Sequence, residues 1–163
     1  MTGGARVGIG YDIHRLVSDR PLILGGVRVE YERGLLGHSD GDAVLHALID
    51  AMLGAAGLGD IGELFPDTEE LYAGADSRVL TRDVVKRVGA AGWTPSNVDI
   101  IVHAERPKLS AYKQAMAESV AGLLGIDGAR VNVKAKTNEG LGPVGRREGI
   151  ACTAVVLLTS SLG

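Results

Sequence analysis

An α+β fold, with helices packed on one face of a mixed β-sheet, is what this sequence predicts, and three observations carry it. Apolar residues recur in segments ordered β-ββ-α-α-β-α-β along the chain, which is the pattern of a two-layer mixed architecture. With 45% hydrophobic residues and only 4% aromatic ones, the core must be built from Val, Ile, Leu and Ala. Finally, 24 of the 163 residues are glycine, about twice the ordinary usage near 7%, so loops carry much of the structure. The length suits one domain spanning 1–163, large enough to bury a sizeable core.

The elements follow in order. Arg6 to Ile13 alternates Val7, Ile9, Tyr11 and Ile13 with Gly8, Gly10 and Asp12, a strand whose end is unusually polar. Leu22-Ile23-Leu24 and Val27-Arg28-Val29 flank Gly25-Gly26, a two-residue hairpin signal. The chain then reads as loop up to Gly41. Ser39-Asp40-Gly41-Asp42 starts a helix, with a polar cap and an acid in its first turn, and Val44, Leu45, Leu48, Ile49, Met52 and Leu53 continue it to a stop near Gly54 to Gly57. Gly59 to Ala75, polar and acidic around Phe65-Pro66-Asp67, reads as a functional loop or flap. Asp76 or Ser77 caps a second helix through Val88, closed by Gly89 and Gly92. Val98 to Val102 is a strand, and a third helix carries Tyr112, Ala115, Met116, Val120 and Leu123 to Gly125. Val131 to Ala135 and Ile150 to Leu158 are the last strands. The final one is so apolar that both its faces should be covered, by helices or by another subunit.

Charge and cysteine content narrow the function. Seventeen Lys and Arg against twenty Asp and Glu leave a net charge of −3 without a basic block, which speaks against a nucleic-acid partner and leaves acidic small-molecule substrates open. Cys152 is alone, so neither an internal disulfide nor a Cys-rich zinc site is available, and a cytoplasmic enzyme or binding module is expected. No apolar run approaches the ~18 residues of a membrane span, so no membrane partner is expected. Met1 to Arg6 leads into a patterned strand instead of a signal-peptide core.

Asp12 and His14, two apart on a strand, leave it on the same face, and His46 sits on a helix able to pack nearby. Asp and two His with a fourth position open is a catalytic zinc pattern. The same residues also fit a strand-end hydrogen-bonding pair and a half-buried helical histidine. Asp42, His46 and Asp50 follow at i+4 spacing, which lets Asp50 take the second imidazole N–H of His46; a solvated helix face is the competing reading. Gly140-Leu141-Gly142-Pro143-Val144-Gly145 spells G-x-G-x-x-G, but an apolar strand follows it where a dinucleotide site needs a helix N-terminus. With Arg146 and Arg147 it is still able to approach an anion. In Lys134-Ala135-Lys136-Thr137-Asn138-Glu139 lysines and a carboxylate leave a strand together, suited to phosphate and a hard divalent ion, or else simply a solvated strand end. His103 to Lys108 is a strand end turning into a loop, and Cys152 reads as inert core packing.

Taken together, Gly10-Tyr11-Asp12-Ile13-His14, His38-Ser39-Asp40-Gly41-Asp42 with His46, Gly59-Asp60-Ile61-Gly62 with Phe65-Pro66-Asp67-Thr68, and Gly145-Arg146 with Glu148-Gly149-Ile150 resemble the 2-C-methyl-D-erythritol 2,4-cyclodiphosphate synthase family of the non-mevalonate isoprenoid pathway. The resemblance covers essentially the whole chain. It implies a lyase that cyclises 4-diphosphocytidyl-2-C-methyl-D-erythritol 2-phosphate, the 2-phosphate attacking the β-phosphorus while CMP leaves. It further implies zinc on Asp12, His14 and His46, a second divalent cation (magnesium or manganese) near Glu139, and transition-state support from His38 and Thr137.

By the same matching Ser39, Asp60, Ile61, Gly62, Phe65, Pro66, Asp67, Thr68 and Glu69 hold the methylerythritol part. Ala104, Pro107, Lys108, Leu109 and Ser110 hold the cytidine diphosphate, with Lys136, Asn138, Pro143 and Arg146 completing the substrate contacts. Family members are homotrimers with active sites at subunit interfaces, and Arg146 matches an arginine facing the trimer's central cavity. Pro143 stands where many relatives carry Phe, and Arg147 where Gly is common, so the lining of that cavity differs here. A metal-dependent module that binds nucleotides or prenyl phosphates without catalysis is the alternative, as is a zinc-dependent phosphoanhydride hydrolase.

Overall fold

The computed structural model describes residues 3–161; the outermost two residues at each end of the expected 1–163 domain lie outside the described residues. Strand β1 (Ala5–Ser18) leads to the hairpin β2 (Leu22–Leu24) and β3 (Val27–Val29), then β4 (Arg33–Leu35), helix α1 (Ala43–Ala56) and the single turn α2 (Ile61–Leu64). Helix α3 (Ser77–Ala90), strand β5 (Trp93–His103), α4 (Lys113–Leu124), β6 (Val131–Lys136), the turn α5 (Gly142–Gly145) and β7 (Gly149–Ser160) complete the chain. One five-stranded sheet runs β4-β1-β7-β5-β6. Its pairings are antiparallel except β5 with β6, which are parallel and joined through α4. Mixed sheet and helices on one face are thus as expected.

The hairpin forms where Gly25 and Gly26 take φ of 63° and 76°, the left-handed pair that a tight two-residue turn requires. Strand β4 falls in a stretch read from sequence as loop; it pairs Leu16 with Leu35 and Ser18 with Arg33. The acid expected inside the first turn of α1 is instead its N-cap: Asp42 accepts from Leu45 N–H. The second helix is capped by Asp76 and runs through Gly89. In the glycine-rich stretch before β7, residues 142 to 145 form a helical turn, not loop.

Helix α1 is buried almost all round, with twelve of its fourteen residues excluded from solvent, because the sheet lies under it and α3 beside it. It sits on the β1 face that carries Gly8, Gly10, Asp12 and His14. A Cβ at Gly8 would stand 1.9 Å from the Ala51 carbonyl oxygen, so only glycine permits this approach. The apolar members of the β1 alternation therefore point the other way. Val7, Ile9, Tyr11 and Ile13 are 69%, 70%, 58% and 42% exposed. Within one chain the helices cover one face of β7: Ile150, Cys152, Ala154, Val156 and Leu158 are buried, whereas Val155 opposite Ile9 is open. Cys152 is core packing, its thiol pushed well above the ordinary range by burial.

Candidate active site

The polar end of β1 and the N-terminal turns of α1 meet at one point. His14 Nε2 lies 2.7 Å and His46 Nδ1 3.2 Å from Asp12 Oδ2, and the two nitrogens are 3.2 Å apart. Asp12 Oδ2 is sealed from solvent and accepts no well-angled hydrogen bond. The protons of both rings are engaged elsewhere. His14 Nδ1 is 2.8 Å from the Leu36 carbonyl, which only accepts, so that nitrogen carries the proton and Nε2 presents a lone pair. His46 Nε2 lies 2.9 Å from Ser77 Oγ and 3.1 Å from Ser39 Oγ, leaving Nδ1 to face Asp12. Three lone pairs and one negative charge thus converge, a donor set suited to a divalent cation. Burial acts to raise the Asp12 pKa, but the two imidazoles, when protonated toward it, outweigh burial and hold the carboxyl below its ordinary value. Burial likewise acts to lower His14, and Asp12 with the Leu36 carbonyl lifts it above the ordinary imidazole value.

Two sequence expectations fail at this point. Asp50 does not reach His46; its carboxylate accepts from Ile61 N–H at 2.7 Å and so ties α1 to α2. Asp42 is no part of an open polar stripe, being fully buried and held by the N–H groups of Gly25, Gly26 and Leu45. Burial pushes its carboxyl up to about 6 despite those three donors.

A cavity of about 530 Å³ opens over the cluster, lined by His14, His38, Ser39 and His46 and by Ile61, Gly62, Phe65, Pro66, Asp67 and Thr68 from the flap. That volume suits a small-molecule ligand. Asp60 caps α2 at its edge, accepting from Glu63 N–H, and His38 Nε2 donates to the Glu69 carbonyl at 2.9 Å. The flap is anchored beneath by Gly74 N–H to the His38 carbonyl and Asp40 N–H to the Ala75 carbonyl. Tyr72 and Leu80 also line this cavity without having been singled out.

A second cavity, of about 340 Å³, gathers Ala104, Pro107, Lys108, Leu109, Ser110, Lys136 and Thr137 at the ends of β5 and β6. Asn138 and Gly140 beside it donate their N–H groups to Glu105. Glu139 is exposed there, its backbone in the left-handed region at φ 54°. A third cavity brings Pro143 and Arg146 beside His14 and Glu148. The first two cavities share no residue. They open at the same end of the sheet, since His14 pairs with Ile150 on β7 and His103 pairs with Ala151 and Lys136. Strands β1 and β6 are three spacings apart, about 14 Å.

The roles of Ser77, Asp40 and Glu105 escaped sequence reasoning. Each acts through a partner more than thirty positions away, and local spacing carries no trace of that.

Residues 5–159 match the YgbB family. A 2-C-methyl-D-erythritol 2,4-cyclodiphosphate synthase of Bordetella petrii is 61% identical over 153 residues, 94% of either chain. Among solved structures, the bifunctional IspDF of Campylobacter jejuni superposes with a TM-score of 0.94 at 45% identity, over 98% of this chain and 43% of that longer one. A 2C-methyl-D-erythritol-2,4-cyclodiphosphate synthase solved in a CDP-bound form superposes with a TM-score of 0.86 at 41% identity, covering 94% of this chain and 99% of the other.

Proposed function

This chain belongs to the YgbB family, and from that membership we infer a phosphorus–oxygen lyase of the non-mevalonate isoprenoid pathway. It converts 4-diphosphocytidyl-2-C-methyl-D-erythritol 2-phosphate to 2-C-methyl-D-erythritol 2,4-cyclodiphosphate and releases CMP, the product being the one for which its relatives are named. The observation within the molecule that carries this reading is the convergence of Asp12, His14 and His46 beside the flap-lined cavity, to whose wall His14 and His46 belong.

We assign zinc to that cluster. Tetrahedral ligands at the ~2.1 Å typical of zinc stand about 3.4 Å apart; the two separations from His46 Nδ1, both 3.2 Å, are close to this, and the third, 2.7 Å between His14 Nε2 and Asp12 Oδ2, is shorter. When bound, zinc supplies Lewis acidity and a template for the diphosphate. The protein's own work is placement. An oxygen of the 2-phosphate forms a bond to the β-phosphorus, the bond from that phosphorus to the bridging oxygen breaks, and CMP carries the bridging oxygen away. The substrate provides its own nucleophile, so no side chain has to be one. Phe65 to Thr68, Ser39 and the α2 turn hold the methylerythritol part. Lys108 and Lys136 offset phosphate charge, and Glu139 would hold a second divalent ion, magnesium or manganese, which would reduce repulsion between the approaching anions. His38 and Thr137 support the transition state, with Pro143 and Arg146 facing the third cavity.

Within one chain His38 and Thr137 belong to separate cavities. We therefore assign the complete site to two copies, the metal cavity of one meeting the cytidine cavity of the next in a homotrimer. The exposed stripe Val7, Ile9, Tyr11 and Ile13 supports this, because a contiguous apolar patch of that kind marks a protein contact. A cytoplasmic setting is part of the same reading, in keeping with the single buried cysteine.

Phosphorus NMR of the reaction, with CMP measured alongside, is the test. A cyclic diphosphate appearing in step with CMP is the expected result. A linear product would make the protein a hydrolase, and unaltered substrate held on the metal-loaded protein would make it a binding module.

A further inference from the structure

Ser77 is the first residue of α3, fully buried, and has no task in capping that helix, since Asp76 accepts from Arg78 N–H in that role. Its polar atoms go elsewhere. The backbone N–H donates to Asp40 Oδ2 at 3.0 Å and the hydroxyl donates to Asp40 Oδ1. A carboxylate only accepts, so the hydroxyl proton is committed to Asp40 and Ser77 Oγ has only lone pairs to show His46. His46 Nε2 at 2.9 Å must then be the protonated nitrogen. Asp40 is itself fixed, accepting from Asp42 N–H at 3.1 Å and donating its own N–H to the Ala75 carbonyl. Ser39 Oγ, 3.1 Å from the same Nε2, accepts from Gly41 N–H at 3.3 Å, but no carboxylate holds its proton. It is free to present either a proton or a lone pair, so it does not choose the tautomer.

We propose that Ser77, its hydroxyl proton held by Asp40, is the positioning residue that fixes the Nε2–H tautomer of His46 and thereby aims Nδ1 at the cation site shared with Asp12 and His14. The proposal rests on the metal reading of that site. It names a chain of contacts, Asp40 to Ser77 to His46, that joins the base of the flap to a metal ligand across 37 and then 31 positions of sequence. Neither Asp40 nor Ser77 touches the cation position. Both act through the ring.

The test combines ring ¹⁵N–¹H NMR of histidine-labelled protein, metal-free and zinc-loaded, with zinc affinity measured by competition against a chromophoric chelator. In the wild type His46 should carry its proton on Nε2 in both states. Ser77→Ala should weaken zinc binding roughly 10- to 100-fold and reveal a fraction of Nδ1-protonated His46 in the metal-free protein. Ser77→Thr, which restores the hydroxyl, should recover affinity, and Ser39→Ala should cost less than Ser77→Ala. Where Ser77→Ala fails to fold, the wild-type spectrum decides by itself, and an Nδ1-protonated metal-free ring overturns the proposal. Tight zinc binding by the wild type matched by a folded Ser77→Ala overturns it while leaving the metal reading intact. A wild type that binds no zinc removes both.

Discussion

Gly10 and Ala47 touch backbone to backbone: a Cβ on Gly10 would stand 1.8 Å from the Ala47 carbonyl oxygen. The contact lies one residue from His46 on α1 and two from Asp12 on β1, so it sets the distance between the two elements that build the metal cluster. Gly10→Ala has to push α1 off the sheet, and overpacking of this sort costs about 3 kcal/mol or more, a fall in Tm of about 6–12 °C for a chain this long. Zinc affinity should fall with it. Gly54→Ala, on the same helix where an added Cβ meets nothing within 4 Å, should be neutral or stabilising by up to ~1 kcal/mol. Thermal melts and chelator competition on the two variants check this.

Asp42 gives a pH signature. Its folded carboxyl sits at about 6, above the ordinary 3.8, so between those values the folded protein binds more protons than the unfolded chain. The group's contribution to stability is therefore complete below pH 4 and is lost as pH rises through 6. Asp42→Asn removes the titration and leaves an amide NH₂ facing an N–H donor. The stability gap between wild type and variant, read from denaturant melts, should be widest near pH 4 and narrow towards pH 7. A gap that widens with pH would mean that the N–H groups of Gly25, Gly26 and Leu45 outweigh burial.

Glu105 holds the loop that carries Thr137 and Glu139 by accepting from Asn138 N–H at 3.1 Å and Gly140 N–H at 3.2 Å. Glu105→Gln exchanges one acceptor for a donor. Turnover should fall roughly 10- to 100-fold through misplacement of the loop, with a loss of only a few degrees in Tm, because the site is at the surface and opens no cavity. Glu139→Gln should likewise depress turnover more than folding. Steady-state kinetics beside melting curves separate the two effects.

Sharing of the site between copies is open to complementation. His46→Ala disables the metal cavity and Lys108→Ala the cytidine cavity, and each alone should be nearly inactive. Subunits mixed after verified exchange should recover a fraction of sites, those that pair an intact metal cavity with an intact cytidine cavity. No recovery contradicts the shared site.

Much of the site was legible in the sequence because it depends on local rules. The two-residue period of β1 puts Asp12 and His14 on one face, and Gly25-Gly26 dictates a hairpin. Ile150 to Leu158 read correctly as a strand. What stayed hidden depends on tertiary choice. Periodicity shows that Val7, Ile9, Tyr11 and Ile13 share a face but cannot say which face α1 takes; the Gly8 and Gly10 side wins because it lets the helix approach. Strand β4 has three residues with Gly34 in the middle, too short to carry a period. Asp50 obeys the helical spacing to His46, yet the Ile61 N–H competes for it and prevails.

Whether water attacks phosphorus separates a cyclase from a hydrolase. Turnover in ¹⁸O-labelled water, with both products examined by mass spectrometry, answers it. An intramolecular attack by the 2-phosphate leaves CMP and the cyclic diphosphate unlabelled. Label entering CMP or the methylerythritol product during turnover would show a water-derived bond to phosphorus and would contradict the cyclase.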